Sequence, residues 1–324
     1  MKPLYDLIII GAGPAGLACG IAAKHAGMKY LIFDKGGIVN SIQQFQREMY
    51  FFSTPELLEI GGLPFVVPTT RPTARDCVNY YRAAAQYHDL EFRFHEKIVS
   101  AQRAEDLFDV RTDRAIEYRS RAVVVATGYY DTPSPLGVPG EDLPHVSHFY
   151  RDPLPFFRQH VVIVGGKNSA VEAALDLWRH GAVVTVVHRG QAMSPSVKYW
   201  IMPDFQNRVN DGAIALHLDS TVKEFCTGDT VIHRQGTGDM KIRTDFAFIL
   251  IGYRPDVKFL ASFGIGIEPE TLAPVHDPET METNVRNLFV AGGLVGGKFN
   301  NRVFIENGRG HGQKIVAALT NRLR

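Results

Sequence analysis

Apolar residues along the chain come in short runs, each closed by glycine or a charge, and the first of them, Leu7-Ile8-Ile9-Ile10, stops at Gly11. Apolar runs of four to eight residues bounded by turn signals predict strands buried on both faces, as in a parallel sheet. Residues 6–10, 30–34, 122–126, 161–164, 183–187 and 246–251 read this way, with weaker strand candidates around Phe92, Phe108, Ile116, Leu216, Val222 and Val231. Helical stretches separate the 6–10 run from the 30–34 run and the 161–164 run from the 183–187 run. Each set therefore reads strand, helix, strand, the opening of a doubly wound sheet. After Arg71-Pro72-Thr73, the spacing of Val78, Tyr81 and Ala85 predicts an amphipathic helix over 74–87. Residues 287–293 form a Gly-rich loop, and a last helix is expected from about Phe304 to Leu323.

Two stretches punctuate this order. Residues 131–140 have linker composition, and Gly252-Tyr253-Arg254-Pro255 lies in a second break at 251–257. The expected fold is α/β, with two Rossmann-like, three-layer dinucleotide-binding domains. One covers 141–250 and is inserted into a discontinuous domain made of 1–130 and 258–324, since one βαβαβ half needs partners and the tail supplies them. Paired crossings at the two linkers predict a hinge.

Composition adjusts this picture little. A chain of 324 residues with 45% hydrophobic content is ample for two such domains, and a net charge of +1 points to no nucleic-acid or membrane partner. The early apolar run is too short for a signal peptide or a spanning helix, so a cytoplasmic location is expected. The three cysteines, Cys19, Cys77 and Cys226, form no Cys-x-x-Cys pair, which excludes a disulfide framework and a zinc ribbon. His145 and His148 have no cysteine or acidic companions in sequence and read as loop histidines; no metal site is expected.

The chemistry lies in two glycine-rich turns, Gly11-Ala12-Gly13-Pro14-Ala15-Gly16 and Gly165-Gly166-Lys167-Asn168-Ser169-Ala170. Each follows a strand and opens a helix, the context in which such a turn holds a pyrophosphate at a helix N-terminus. The strand after each helix ends differently. Asp34 closes the first and suits an unphosphorylated adenosine ribose. His188-Arg189 closes the second, and its positive charge suits a 2′-phosphate, favouring NADPH over NADH. Lys167 replaces the usual middle glycine and is expected to swing outward, its ammonium meeting a phosphate.

Several further segments carry a resemblance: Asn40-Ser41-Ile42, Phe51-Phe52-Ser53-Thr54, Leu58-Glu59-Ile60-Gly61, Ala126-Thr127-Gly128-Tyr129-Tyr130-Asp131, Ser194-Pro195-Ser196-Val197-Lys198 and Phe304-Ile305-Glu306-Asn307-Gly308. With the two turns, and over nearly the whole chain, they resemble the bacillithiol-disulfide reductase branch of the thioredoxin reductase-like flavoproteins. The resemblance implies FAD on the domain built from the two chain ends. Its expected contacts are Gly11, Gly13, Pro14, Ala15 and Gly16 at the pyrophosphate, then Asp34, Lys35, Asn40 and Ser41. Ala126, Thr127, Gly128, Gly292, Gly293, Phe304 and Ile305 complete that set, the last helix turning its positive N-terminus to the flavin. NADPH is expected on Gly165, Gly166, Lys167, Asn168, Ser169 and Ala170, with His188, Arg189, Lys198 and Gly252.

Two departures stand out. The redox Cys-x-x-Cys of thioredoxin reductases proper is absent, and the resemblance places a cysteine after the proline of the first turn, where this chain has Ala15. Cys19, one helical turn further on, reads as a core residue, and neither Cys77 nor Cys226 reads as reactive. The implied activity is hydride transfer from NADPH to flavin N5 and then to a low-molecular-weight disulfide, in a homodimer. Two alternatives stay open: electron transfer to a small redox protein, as in ferredoxin/flavodoxin-NADP reductases, and a redox sensor that holds FAD without turnover.

Overall fold

The computed structural model describes residues 3–299 and 302–323. The chain divides into two compact units, one of Met1–Gln43, Tyr50–Thr132 and Tyr253–Arg324, the other of Gln44–Met49 and Pro133–Gly252. The short return at 44–49 has no counterpart in the sequence reading.

The first unit opens with β1 (Leu4–Ile10), α1 (Pro14–His25) and β2 (Tyr30–Asp34), followed by the short helices α2 (Asn40–Gln43) and α3 (Pro55–Leu58). Helix α4 (Ala74–Tyr87) starts where Thr73 and Asp76 cap each other, the Thr73 hydroxyl accepting from the Asp76 N–H and the Asp76 carboxylate from the Thr73 N–H. Its buried stripe is Ala74, Cys77, Tyr80, Tyr81, Ala84 and Ala85, so Val78 sits at its margin. β3 (Phe92–Phe94), β4 (Ile98–Ala104), β5 (Leu107–Thr112) and β6 (Glu117–Val125) follow. Ile116 itself lies in the turn before β6, and the expected strands near 116 and 122 are one continuous strand. The sequence pattern missed β4, because only Ile98 and Ala101 of its residues are buried.

The second unit contains β7 (Val146–Ser147), β8 (His160–Val164), α5 (Asn168–Arg179), β9 (Val183–Val187), α6 (Met202–Asn210), β10 (Ile214–His217), an antiparallel trio β11 (Ser220–Phe225), β12 (Gly228–Arg234) and β13 (Gly238–Thr244), and β14 (Phe246–Ile249). Its five-stranded sheet, in the order β10-β9-β8-β14-β7, is parallel throughout. Cys226 sits in the turn after β11, where its N–H donates to the Asp229 carbonyl.

The chain then returns to the first unit through α7 (Val257–Ser262), β15 (Leu288–Val290), α8 (Ile305–Gly308) and α9 (His311–Leu323). The single last helix expected from Phe304 is thus broken. Gly308 and Gly310 flank Arg309, whose guanidinium is drawn off to the carbonyls of Glu56 and Glu59 at 2.9 and 2.7 Å. Strand β15 pairs with β6 in parallel, so the tail completes the seven-stranded sheet. Helix α1 is apolar nearly all round because it is covered on both sides, by the sheet and by α9. At Gly312 of α9 a Cβ would meet the backbone of Ala18 and Cys19 at 2.8 Å. β1, β2, β6 and β15 all end at one edge of the sheet, at Ile10, Asp34, Val125 and Val290. The turns leaving that edge carry most of the residues expected at a dinucleotide, as open α/β sheets bind ligands beyond their strand C-termini.

Candidate cofactor sites

In the first turn, Gly11 donates its N–H to the Phe33 carbonyl at 2.7 Å and adopts φ +114°, a backbone state side chains disfavour. A Cβ there would collide with the carbonyl of Ala126, and one at Gly16 with the carbonyl of Gly11. These two glycines are required by the protein itself. Gly13 is not: its backbone is extended and a Cβ would meet nothing within 4 Å. It also caps α1 without a side-chain hydrogen bond, Pro14 follows at the first helical position, and no acid stands in the first turn. The mouth of this turn is open at Gly13 and faces the N-terminus of a helix whose first turn carries no acid, which fits a pyrophosphate.

Asp34 stands beside it. Its two carboxylate oxygens accept from the N–H groups of Ala12 and Gly36, both at 2.8 Å. Burial raises its pKa, opposed by those two hydrogen bonds. Val39 donates its N–H to the Ala12 carbonyl at 2.9 Å, which brings the start of α2 to the turn, with the Asn40 side chain over Gly36 and Ser41 next along the helix. Lys35 pairs with Asp131 at 2.9 Å. Ala126, Thr127 and Gly128 leave β6 at the same edge, and Ala126 donates to the Ile10 carbonyl at 2.8 Å.

The C-terminal segment closes on this turn at Gly292 and Gly293. A Cβ on Gly292 would lie 2.7 Å from the Ala15 methyl, and one on Gly293 would lie 2.6 Å from the Tyr129 ring. Gly308 of α8 packs on the Gly292 Cα, and the Gly292 N–H donates to Nδ1 of His311 at 3.1 Å. Burial pulls the His311 imidazole down to about 4, with the charges of Lys314 and His276 adding to the effect. Ala15, Tyr129, Gly308 and His311 thus all meet the Gly292–Gly293 turn; the sequence places Ala15, Gly292 and Gly293 at the flavin, carries Tyr129 and Gly308 only within quoted motifs, and gives no role to His311. Tyr129 lies inside the quoted Ala126–Asp131 segment and His311 a few residues beyond the quoted Gly308, so membership of or proximity to those motifs was the available signal. Phe304, N-terminal to α8, donates its N–H to Asn307 Oδ1 at 2.8 Å and is half exposed; Ile305 is part-buried.

The second turn repeats the first inside its own unit. Gly165 donates to the Val187 carbonyl at 3.0 Å and adopts φ +155°, and a Cβ there would lie 2.5 Å from the Leu250 carbonyl oxygen. Ala170 takes the place of the third glycine. Lys167 caps α5 with extended backbone and is exposed, the conformation of Gly13 at the equivalent position, so a lysine there carries no backbone strain. Asn168 ties this turn to the 196–198 loop: its Nδ2 donates to the Ser196 carbonyl at 3.2 Å and its Oδ1 accepts from the Lys198 N–H at 2.8 Å. Ser169 is exposed and Gly252 closes the segment after β14 with φ +105°.

The two basic residues expected at a 2′-phosphate behave differently from Arg189. Lys198 is 5% exposed, and its ammonium is directed inward to Glu172 of α5. The His188 ring packs under Gly166, and burial followed by the neighbouring Arg189 charge lowers its pKa. Arg189 is exposed at the strand end and makes no ion pair among the described residues.

Comparison with known proteins bears on what these two turns hold. The model of the pyridine nucleotide-disulphide oxidoreductase family matches residues 8–292. The chain belongs to this family. Bacilliredoxin reductase Bdr of Bacillus subtilis is 40% identical to it over 317 residues, 97% of each protein. The structure of bacillithiol disulfide reductase Bdr (YpdA) from Bacillus cereus is similar with a TM-score of 0.95 at 39% identity, covering 98% of this chain and 99% of that one. A ferredoxin–NADP reductase of Ignicoccus hospitalis is more distant, 27% identical over 299 residues and 90% of each chain. The protein is an oxidoreductase whose cofactors are FAD and NADPH.

Neither cysteine of the first unit offers an accessible thiol. Cys19 is fully buried and its thiol is pushed up to about 12 by burial. Cys77 is buried too, with its pKa raised by burial and by the Asp76 charge. Thiolate chemistry at neutral pH is closed to both. Cys226 is half-buried in the other unit.

Proposed function

We propose that this chain is an NADPH-dependent flavoprotein that reduces a low-molecular-weight disulfide of the bacillithiol type, with FAD on the 11–34 turn and NADPH on the 165–189 turn. The observation that carries this reading is the 40% identity over 97% of both chains to a bacilliredoxin reductase, joined to two pyrophosphate cradles whose strand ends differ in charge. When bound, FAD accepts hydride from NADPH and makes the electrons available to the second substrate. The protein's part is binding and orientation. Gly13 leaves room for backbone approach, Asp34 offers carboxylate lone pairs to a ribose diol, and the Gly292–Gly293 turn abuts Ala15 at the start of α1. On the second turn, Lys167 and Arg189 supply exposed positive charge. Lys198 neutralises Glu172 and holds the 194–198 loop to Asn168, rather than meeting a phosphate itself. The assembly is read as a homodimer acting in the cytoplasm.

One observation favours a second reading. With Ala15 in the first turn and both Cys19 and Cys77 buried, no thiol of this unit is available to form an adduct with a disulfide, whereas electron transfer to a ferredoxin or flavodoxin needs none. Steady-state NADPH oxidation with bacillithiol disulfide, with a bacilliredoxin mixed disulfide, and with ferredoxin or flavodoxin as acceptors separates the two. Turnover with either disulfide acceptor and none with the electron carriers is expected. Turnover with the carriers alone overturns the disulfide reading. Ala15→Cys is expected to raise the disulfide-supported rate at least about tenfold if a missing thiol limits it.

A further inference from the structure

The two glycine-rich turns superimpose in chemistry at their first residue and diverge at the second. Gly11 and Gly165 each donate to the carbonyl of the penultimate or last residue of the following strand, Phe33 and Val187. The next residue in each turn then faces the side chain that closes that strand. In the first turn Ala12 faces Asp34, donating its N–H to the carboxylate at 2.8 Å. In the second, Gly166 faces His188, and a Cβ on Gly166 would fall among Cε1, Nδ1 and Nε2 of the imidazole. A Cβ on Gly190 would also approach the ring, to 2.8 Å from Nε2. The ring therefore packs closely against two glycines. The loop beyond it is bound back to the same place, Ser194 donating its N–H to the Gly166 carbonyl at 2.8 Å. Gly166 is not in the left-handed region, so backbone strain does not call for glycine there. The imidazole does.

We propose that Gly166 and His188 act as one unit that sets the nucleotide preference of the second turn: the imidazole fills the place that a ribose-binding carboxylate takes in the first turn, and Gly166 is glycine to admit it. With the ring pinned there, no acid stands at the strand end to accept a ribose diol, and Arg189 is left as the exposed cation beside it. His188 is then a positioning residue rather than a phosphate ligand. This inference rests on the reading that NADPH occupies the second turn.

The test is a mutant cycle on the full-length flavin-loaded enzyme, with Gly166→Ala, His188→Asp and the pair, read by unfolding midpoint and by kcat/KM for NADPH and NADH. Gly166→Ala alone is expected to lower the midpoint by about 3–8 °C and to raise KM for NADPH about tenfold or more. In the pair, which recreates the Ala12–Asp34 arrangement, the midpoint should return to within about 2 °C of the wild type. The pair should also shift the NADPH:NADH ratio of kcat/KM toward NADH by at least about tenfold. If Gly166→Ala does not fold, His188→Ala added to it removes the ring and must restore soluble protein. Additive midpoints, failed rescue, or an unchanged nucleotide ratio in the pair overturn the proposal while leaving wild-type NADPH oxidation intact. A wild type that oxidises no NADPH removes the underlying reading, and the proposal with it.

Discussion

Glycine does two separate jobs in the first turn, and single methyl groups distinguish them. At Gly16 a Cβ strikes the Gly11 carbonyl, so Gly16→Ala is expected to destabilise the protein with or without flavin, by about 1–3 kcal/mol. At Gly13 the same Cβ meets no protein atom, so Gly13→Ala should leave the unfolding midpoint of the flavin-free protein unchanged and lower its flavin content after reconstitution. Equal losses of stability in both variants would remove Gly13 from the cofactor site. His311 gives a pH signature. Its folded pKa of about 4 lies below the value of an unconstrained histidine, so the folded state binds fewer protons between pH 4 and 6.5. Stability from its neutral form is present above pH 6.5 and is lost as the pH falls through 4. Discounted for partial exposure, that amounts to about 1–2 kcal/mol. His311→Asn keeps an acceptor for the Gly292 N–H without titrating, and its midpoint should fall less than that of the wild type between pH 7 and 4.5. Parallel falls would show that His311 does not titrate in this window. At this scale the sequence disclosed the identities of the turn residues but not their partners. His188 and Lys198 read as phosphate cations because their charge was visible; Gly166 and Glu172, which engage them, lie 22 and 26 positions away and become neighbours only in the folded unit.

Among the elements, those with a repeated apolar period and a chemical start signal were legible: β1, β2, β8 and β9 from their continuous apolar runs, and α4 from Thr73 and its stripe. Elements held by a single face were not. β4 buries two residues of seven, and α6 buries Phe205 alone. The break between α8 and α9 depends on Arg309 reaching α3, a tertiary contact with no local signal. The fit of α9 on α1 also depends on one position. Gly312 brings the two backbones together at Ala18 and Cys19, so Gly312→Val is expected to lower stability by roughly 1–3 kcal/mol and, by shifting α1, to weaken flavin retention. A Gly312→Val protein with wild-type stability and flavin content would show that α9 moves aside without cost and does not set the position of α1.

At the scale of the molecule, the same strand–turn–helix–strand device occurs once in each of two units, with an acid closing one and an imidazole–guanidinium pair closing the other. That duplication accounts for an enzyme that must hold two dinucleotides and tell them apart, and it was readable from the sequence because both copies keep the first glycine and its spacing to the strand end. What the sequence did not disclose was the route of the chain, which enters the second unit briefly at Gln44–Met49 before the long excursion of Pro133–Gly252. The central claim is that NADPH on the second unit reduces FAD on the first, whatever the acceptor. Anaerobic stopped-flow mixing of the flavin-loaded protein with each nucleotide tests it most directly. The account predicts full bleaching of the visible flavin absorbance by NADPH, at least about tenfold faster than by NADH at equal concentration. A flavin that stays oxidised in the presence of NADPH would contradict it.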